Sequence, residues 1–204
     1  MKYKRKSIRL KEYDYSSEGY YFVTVCVAGM WEMFWDVGAI PCNRPNEKGE
    51  KKISQKGENM VSPVRMPIYK LNDIGEMINK WWQKVFEKYH HEIEIDEYVI
   101  MPNHIHGIIK IVGANPRIRP NRLVIKNTYA GIGRYISWFK RMSTNEYIRH
   151  IRSDNWKPFN ERFWHRNYYE HIIRNERSLN KIREYIRDNP AKWQYDKYNP
   201  NGVS

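Results

Sequence analysis

Tyr98-Val99-Ile100-Met101-Pro102-Asn103-His104-Ile105-His106-Gly107-Ile108-Ile109 holds two apolar runs separated by one Met-Pro-Asn break. Both runs are rich in β-branched residues, which suit a half-buried pleated surface, and Pro-Asn is turn chemistry. The stretch therefore predicts two neighbouring strands joined by a tight turn. Successive side chains on a strand point to opposite faces, so His104 and His106 share one face while Ile105 enters the other. Two imidazoles side by side on a rigid strand can hold a divalent metal, or can pack as two half-buried histidines. The pair alone does not choose.

Outward from this stretch, strands and helices alternate. Gly19 to Val27 is a β-branched and aromatic strand. From Leu71 to His90, Ile74, Met77, Ile78, Trp81, Trp82 and Phe86 recur at helical steps, with Asn72 or Asp73 available as the N-cap. The two tryptophans read as core anchors. Ile93 to Met101 alternates as a strand, and His104 to Val112 returns beside it. A second helix is expected from Tyr129 to Arg149, with Lys140 and Arg141 as a solvated or phosphate-facing strip. A third is expected from Ser178 to Asp188, stopped by Asn189-Pro190. Residues 154–170 carry Trp, Arg and His without a clear period. Pro, Gly and charge runs mark 37–66 and 113–127 as flexible insertions in a single domain spanning 1–204. The expected architecture is α+β: a ferredoxin-like antiparallel sheet with helices on one face and the histidine pair on a central strand.

Composition narrows the partner. The chain of 204 residues has 36 Lys and Arg against 23 Asp and Glu, a formal charge of +13. Such an excess favours a polyanion, and nucleic acid presents a dense line of phosphates. Aromatics make up 15% of the residues, many beside basic ones, a mixture suited to unpaired bases. Arg162, His165, Arg166 and Arg174 form such a segment and are the candidate DNA-binding residues; Phe163 and Trp164 could stack on bases or anchor the segment to the sheet. No apolar run approaches membrane-spanning length, and no apolar signal segment follows the basic start. Cys26 and Cys42 fit no metal or redox spacing, so the expected compartment is the cytoplasm, in association with the nucleoid.

A catalytic metal needs more than two ligands, and Asp96, Glu97, Glu161, Glu170, His165 and His171 all qualify by residue type. Here a resemblance adds information. The chain resembles the single-tyrosine HUH transposases, specifically the REP-associated branch related to small insertion-sequence transposases. The likeness rests on Arg5-Lys6-Ser7-Ile8-Arg9-Leu10 with Tyr13-Asp14-Tyr15-Ser16 and Tyr21-Phe22-Val23-Thr24, on Tyr98 to Ile109, on Arg162-Phe163-Trp164-His165, and on Tyr185-Ile186-Arg187-Asp188-Asn189-Pro190. It implies that His104 and His106 hold Mg²⁺ or Mn²⁺, that Tyr185 is the nucleophile on a C-terminal helix, and that Asn189 completes the metal shell. Residues four apart share a helix face, so Tyr185 and Asn189 can point together. The implied activity is metal-dependent nicking and joining of hairpin-bearing single-stranded DNA through a 5′-phosphotyrosine. A non-catalytic hairpin DNA- or RNA-binding protein is the alternative, and a rolling-circle initiator or relaxase shares the histidine platform. Related transposases act as swapped dimers or as monomers, and the sequence leaves both open.

Overall fold

The computed structural model describes residues 17–36, 70–112 and 131–202. The insertions expected at 37–66 and 113–127, the basic arm at the start and Cys42 lie outside these residues.

Four strands form one antiparallel sheet: β1 (Gly19–Cys26), β2 (Ile93–Ile100), β3 (His104–Ile111) and β4 (Tyr169–Ile173), in the order β2-β3-β1-β4. Helix α1 (Asp73–Tyr89) connects β1 to β2, and α2 (Ile132–Ser153) connects β3 to β4. This is the ferredoxin-like arrangement expected from the sequence, with β1 and β3 at the centre of the sheet. Met101-Pro102-Asn103 makes the β2–β3 turn, closed by Met101 N–H donating to the His104 carbonyl at 2.8 Å.

Strand alternation sorts the side chains. Tyr21, Val23, Val25, Ile105 and Ile109 face α1 and α2 and form the main core with Ile78, Trp81, Trp82, Ile136, Phe139 and Tyr147. Asn72 caps α1, its Oδ1 accepting from Gly75 N–H at 2.9 Å while its amide donates to the Met33 and Trp35 carbonyls. Phe163 and Trp164 join this core too: Phe163 stacks on Tyr147, and Trp164 Nε1 donates to Ser143 Oγ at 2.9 Å. They anchor their segment and are not free to stack on bases. Among the described residues no helix is long and apolar enough to cross a membrane.

The opposite face carries a smaller core of Phe22, Ile108, Ile173, Leu179 and Ile186. The last two belong to α3 (Glu176–Asp188), capped by Asn175, whose Oδ1 accepts from Ser178 N–H at 2.8 Å. So α1 and α2 cover one face as expected, and α3 lies across the other, where the histidines point. Behind α3, a 3-10 segment, Pro190–Tyr195, buries Trp193 and leads Asp196 to Tyr198 back under the β2–β3 turn.

Candidate active site

His104 and His106 sit on central β3, directly across from Cys26 and Thr24 of β1. Both are buried, at 0% and 1% exposure. Each Nδ1 has a partner. Asn103 Oδ1 lies 2.8 Å from His104 Nδ1, and Thr24 Oγ1 lies 2.9 Å from His106 Nδ1. The Asn103 amide donates to the Met30 and Tyr198 carbonyls at 2.9 and 2.8 Å, which fixes its oxygen toward His104. Its oxygen can only accept, so His104 carries its proton on Nδ1 and presents a bare Nε2. Thr24 can donate or accept, so His106 can do the same. Burial pushes both imidazoles well below the usual histidine range, His106 to about 3, with Lys197 adding to the effect. They are neutral at ordinary pH, the form a metal requires.

The two Nε2 atoms stand 3.0 Å apart. Adjacent ligands in an octahedral shell with bonds of about 2.1 Å are about 3 Å apart; a tetrahedral shell spreads them to about 3.4 Å. The spacing allows both nitrogens to bind one divalent ion.

A third donor comes from a position the sequence did not single out. Asp196 Oδ2 lies 4.0 Å from His104 Nε2, with its side chain only 4% exposed. His104, His106 and Asp196 offer ligand atoms within 4.8 Å of one another, a group that could hold a metal ion. Asp196 Oδ1 accepts from Tyr198 N–H at 2.7 Å, which holds the carboxylate in place, and burial raises its pKa. Three lone-pair donors converging in a dry pocket repel one another, and a bound cation converts that repulsion into attraction.

Helix α3 brings the tyrosine. Tyr185 Oη is 3.2 Å from His106 Nε2, and its ring meets Phe22 edge-on at 6.1 Å. The residue is 44% exposed, so the phenol touches the histidine on one side and solvent on the other. Burial raises its pKa, Asn189 one turn away opposes the rise, and Asp196 adds to it. Asn189 is 3% exposed, and its Nδ2 is buried without a hydrogen-bond partner. From this position the amide N–H can donate to an anionic oxygen such as a phosphate's, and only its Oδ1 can offer a lone pair to a cation.

The site opens into a cleft of about 770 Å³, lined by Lys181, Lys192 and Lys197 with Tyr169, His171 and Tyr195. Tyr169, on β4 opposite Thr24, shares the cleft, but Tyr185 is the tyrosine bonded to the pair. The remaining ligand candidates stand elsewhere. Asp96 and Glu97 pair with Arg183 and Arg187, and the Glu161 side chain is 81% exposed beside Arg162. His171 lines the cleft from β4, Glu170 is partly buried on the neighbouring position, and His165 is exposed.

Of the basic residues, Arg162, His165 and Arg166 line a separate groove of about 450 Å³ with Lys140 and Arg141. Arg174 follows β4 at the other end of the sheet and lines neither the cleft nor this groove.

Fold and site together define a ferredoxin-like protein with a buried histidine pair on its central strand and a tyrosine delivered by a C-terminal helix. The chain is 34% identical over 202 residues to an uncharacterized protein of Haemophilus influenzae, covering 94% of this chain and 91% of the other. It belongs to that protein's family. No family model matches the sequence. Among solved structures it is similar to a REP-associated tyrosine transposase bound to a REP hairpin, with a TM-score of 0.52 and 16% identity, covering 93% of this chain and 77% of that one. That likeness establishes the shared fold.

Proposed function

We propose that this protein is a metal-dependent single-stranded DNA endonuclease and strand transferase that acts on hairpin-bearing DNA. The observation that carries the reading is the Tyr185 phenol 3.2 Å from an imidazole of a metal-competent histidine pair. The solved structure of similar fold, a tyrosine transposase holding a hairpin, supports the choice of substrate.

His104 and His106 hold the ion, with Asp196 or Asn189 as the further ligand. Bound there, Mg²⁺ or Mn²⁺ would polarise the scissile phosphate and favour departure of the 3′ oxygen. Tyr185 supplies the nucleophile. Its phenol loses its proton to water in the open cleft, its oxygen attacks phosphorus, and the P–O3′ bond breaks with its electrons on the leaving oxygen. A 5′-phosphotyrosine and a free 3′-hydroxyl result. The new phosphodiester retains the energy of the old one, so a second 3′-hydroxyl can displace the tyrosine and join strands. Lys181, Lys192 and Lys197 offset phosphate charge along the cleft. Arg162, His165 and Arg166 of the groove beside α2 are the further DNA contacts, with Arg174 standing apart from both surfaces.

The test is direct. Incubated with hairpin-bearing single-stranded DNA and Mn²⁺, the wild type forms a covalent adduct with the 5′ end created at the break and leaves a free 3′-hydroxyl on the other fragment. Tyr185→Phe binds the same DNA and forms none. An adduct that survives Tyr185→Phe rejects the nucleophile. Tight hairpin binding by the wild type with no adduct under any metal favours a non-catalytic binding protein.

A further inference from the structure

Ile93, Ile95, Tyr98 and Ile100 all pair on β3 within one ladder, but the register slips by one residue between Ile95 and Tyr98. Ile95 pairs with Ile109 and Tyr98 with Gly107, so Asp96 and Glu97 together stand opposite Ile108. A bulge of this kind re-aims consecutive side chains. Here both carboxylates reach α3.

Arg183 Nε and Nη2 bind Asp96 Oδ1 and Oδ2 at 2.8 and 2.5 Å, a bidentate fork. One turn on, Arg187 Nε binds Glu97 Oε1 at 3.1 Å, with Nη2 on the same oxygen. The two pairs are unequal. The Arg183 and Asp96 side chains are 28% and 13% exposed, whereas Arg187 and Glu97 are 60% and 32% exposed. Water screens the second pair, and the first carries most of the effect.

Along its middle α3 lies on the sheet through a narrow apolar stripe, Leu179 and Ile186 buried and Ile182 half-buried, with Tyr185 meeting Phe22 and His106 on one flank. The arginine pairs are the polar hold on the β2 side of that stripe, so losing them lets the helix lift and roll more readily, which also loosens its amides. Arg183 and Tyr185 are two residues apart, about 200° round the helix, so they sit on opposite flanks of the stripe. The arginine anchors the β2 side while the phenol overhangs the histidines. A roll of about 10–20° would move a side-chain tip about 6 Å from the axis by about 1–2 Å. Misplacement by about 1 Å can cost about a hundredfold in rate.

The geometry points to Asp96–Arg183, seconded by Glu97–Arg187, as a clamp that sets the roll of α3 and so holds Tyr185 at the histidine pair. These are positioning residues; none touches the reacting atoms. The inference rests on Tyr185 as the nucleophile for its effect on rate, but the clamp itself is measurable without catalysis.

The experiment compares wild type, Arg183→Gln, Arg183→Lys and the swap Asp96→Arg with Arg183→Asp. It follows amide hydrogen exchange, Mn²⁺ affinity by calorimetry, hairpin affinity, and the single-turnover rate of adduct formation. Arg183→Gln is expected to accelerate exchange across 176–188 while leaving β3 protected, and to slow adduct formation about a hundredfold. Mn²⁺ and hairpin affinities should stay within about threefold. Arg183→Lys, which keeps the charge but loses the fork, should fall between, and the swap should recover part of both losses. Unchanged α3 exchange in Arg183→Gln overturns the clamp, whatever the DNA chemistry turns out to be. So does a fall in hairpin affinity without a change in exchange, which would make Arg183 a DNA contact. A wild type that forms no adduct rejects the proposed chemistry, while the exchange measurement still decides the clamp.

Discussion

Asn103 ties the site together with one side chain. Its oxygen orients His104, and its amide holds the Met30 and Tyr198 carbonyls, linking the histidine strand to the segment that delivers Asp196. Removing a partner that orients a metal-binding histidine typically weakens the metal about 10–100-fold. Asn103→Ala is expected to weaken Mn²⁺ by that much in calorimetry, with a lower Tm because two partly buried carbonyls lose their donor. Unchanged affinity would mean that packing alone orients His104. Lys140 offers a different test. Its Nζ donates to the His165 and Asn167 carbonyls at 3.0 and 3.1 Å, and burial lowers its pKa to about 8. Between about pH 8 and 10.5 the folded chain has shed this proton while the unfolded chain keeps it, so Lys140's contribution to stability rises with pH across that window. Urea midpoints for wild type and Lys140→Met should diverge in favour of the wild type as pH rises from 8 to 10. The histidine pair was legible from its strand spacing, whereas Tyr185 and Asn189 were picked out by the family resemblance, with their four-residue spacing only agreeing with it. Asp196 was not: it is one acid in a Gln-Tyr-Asp-Lys-Tyr run, and only the return of the chain beneath the turn gives it a role.

At the scale of elements, the legible parts were those with a strong period. The helix expected over 71–90 is Asp73–Tyr89, with Asn72 as its cap, and the strand expected over 104–112 is His104–Ile111. The last helix begins two residues before the expected Ser178, because Asn175 caps it. β4 was missed. Five residues, Tyr-Glu-His-Ile-Ile, are too few to display alternation, and the strand exists because β1 offers an unpaired edge. The bulge was visible in hindsight: apolar positions 93 and 95 give way to 98 and 100, an odd step that a continuous strand forbids. Gly107 shows how closely the elements are fitted. A Cβ there would stand 2.7 Å from Trp82 Cζ2, in the core between β3 and α1. Gly107→Ala is therefore expected to cost about 1–3 kcal/mol by overpacking. Because the same strand carries both histidines, Mn²⁺ affinity should fall with it. Equilibrium urea unfolding would contradict this account if the variant matched the wild type.

For the whole molecule, the sheet divides labour. One face is a dry core under α1 and α2; the other carries the metal-competent group, the tyrosine helix and the lysine cleft. The groove of Arg141, Arg162 and Arg166 lies apart from the cleft, on the side of α2. On the proposed function, a hairpin-bearing strand engages both the cleft and this groove, and a short single strand the cleft alone. The two surfaces can be separated by salt. Each phosphate neutralised contributes a slope of about 0.7–0.9 in a plot of log affinity against log salt. The triple change of Arg141, Arg162 and Arg166 to Gln should lower the slope for a hairpin-bearing strand by about two to three, and leave that of a short unstructured strand alone. Lys140 is kept because its donors are already engaged by two carbonyls. Equal loss for both ligands would assign the arginines to general charge attraction, consistent with the +13 net charge acting at a distance. An unchanged slope for the hairpin would take the groove off the path of the DNA and leave recognition to the cleft.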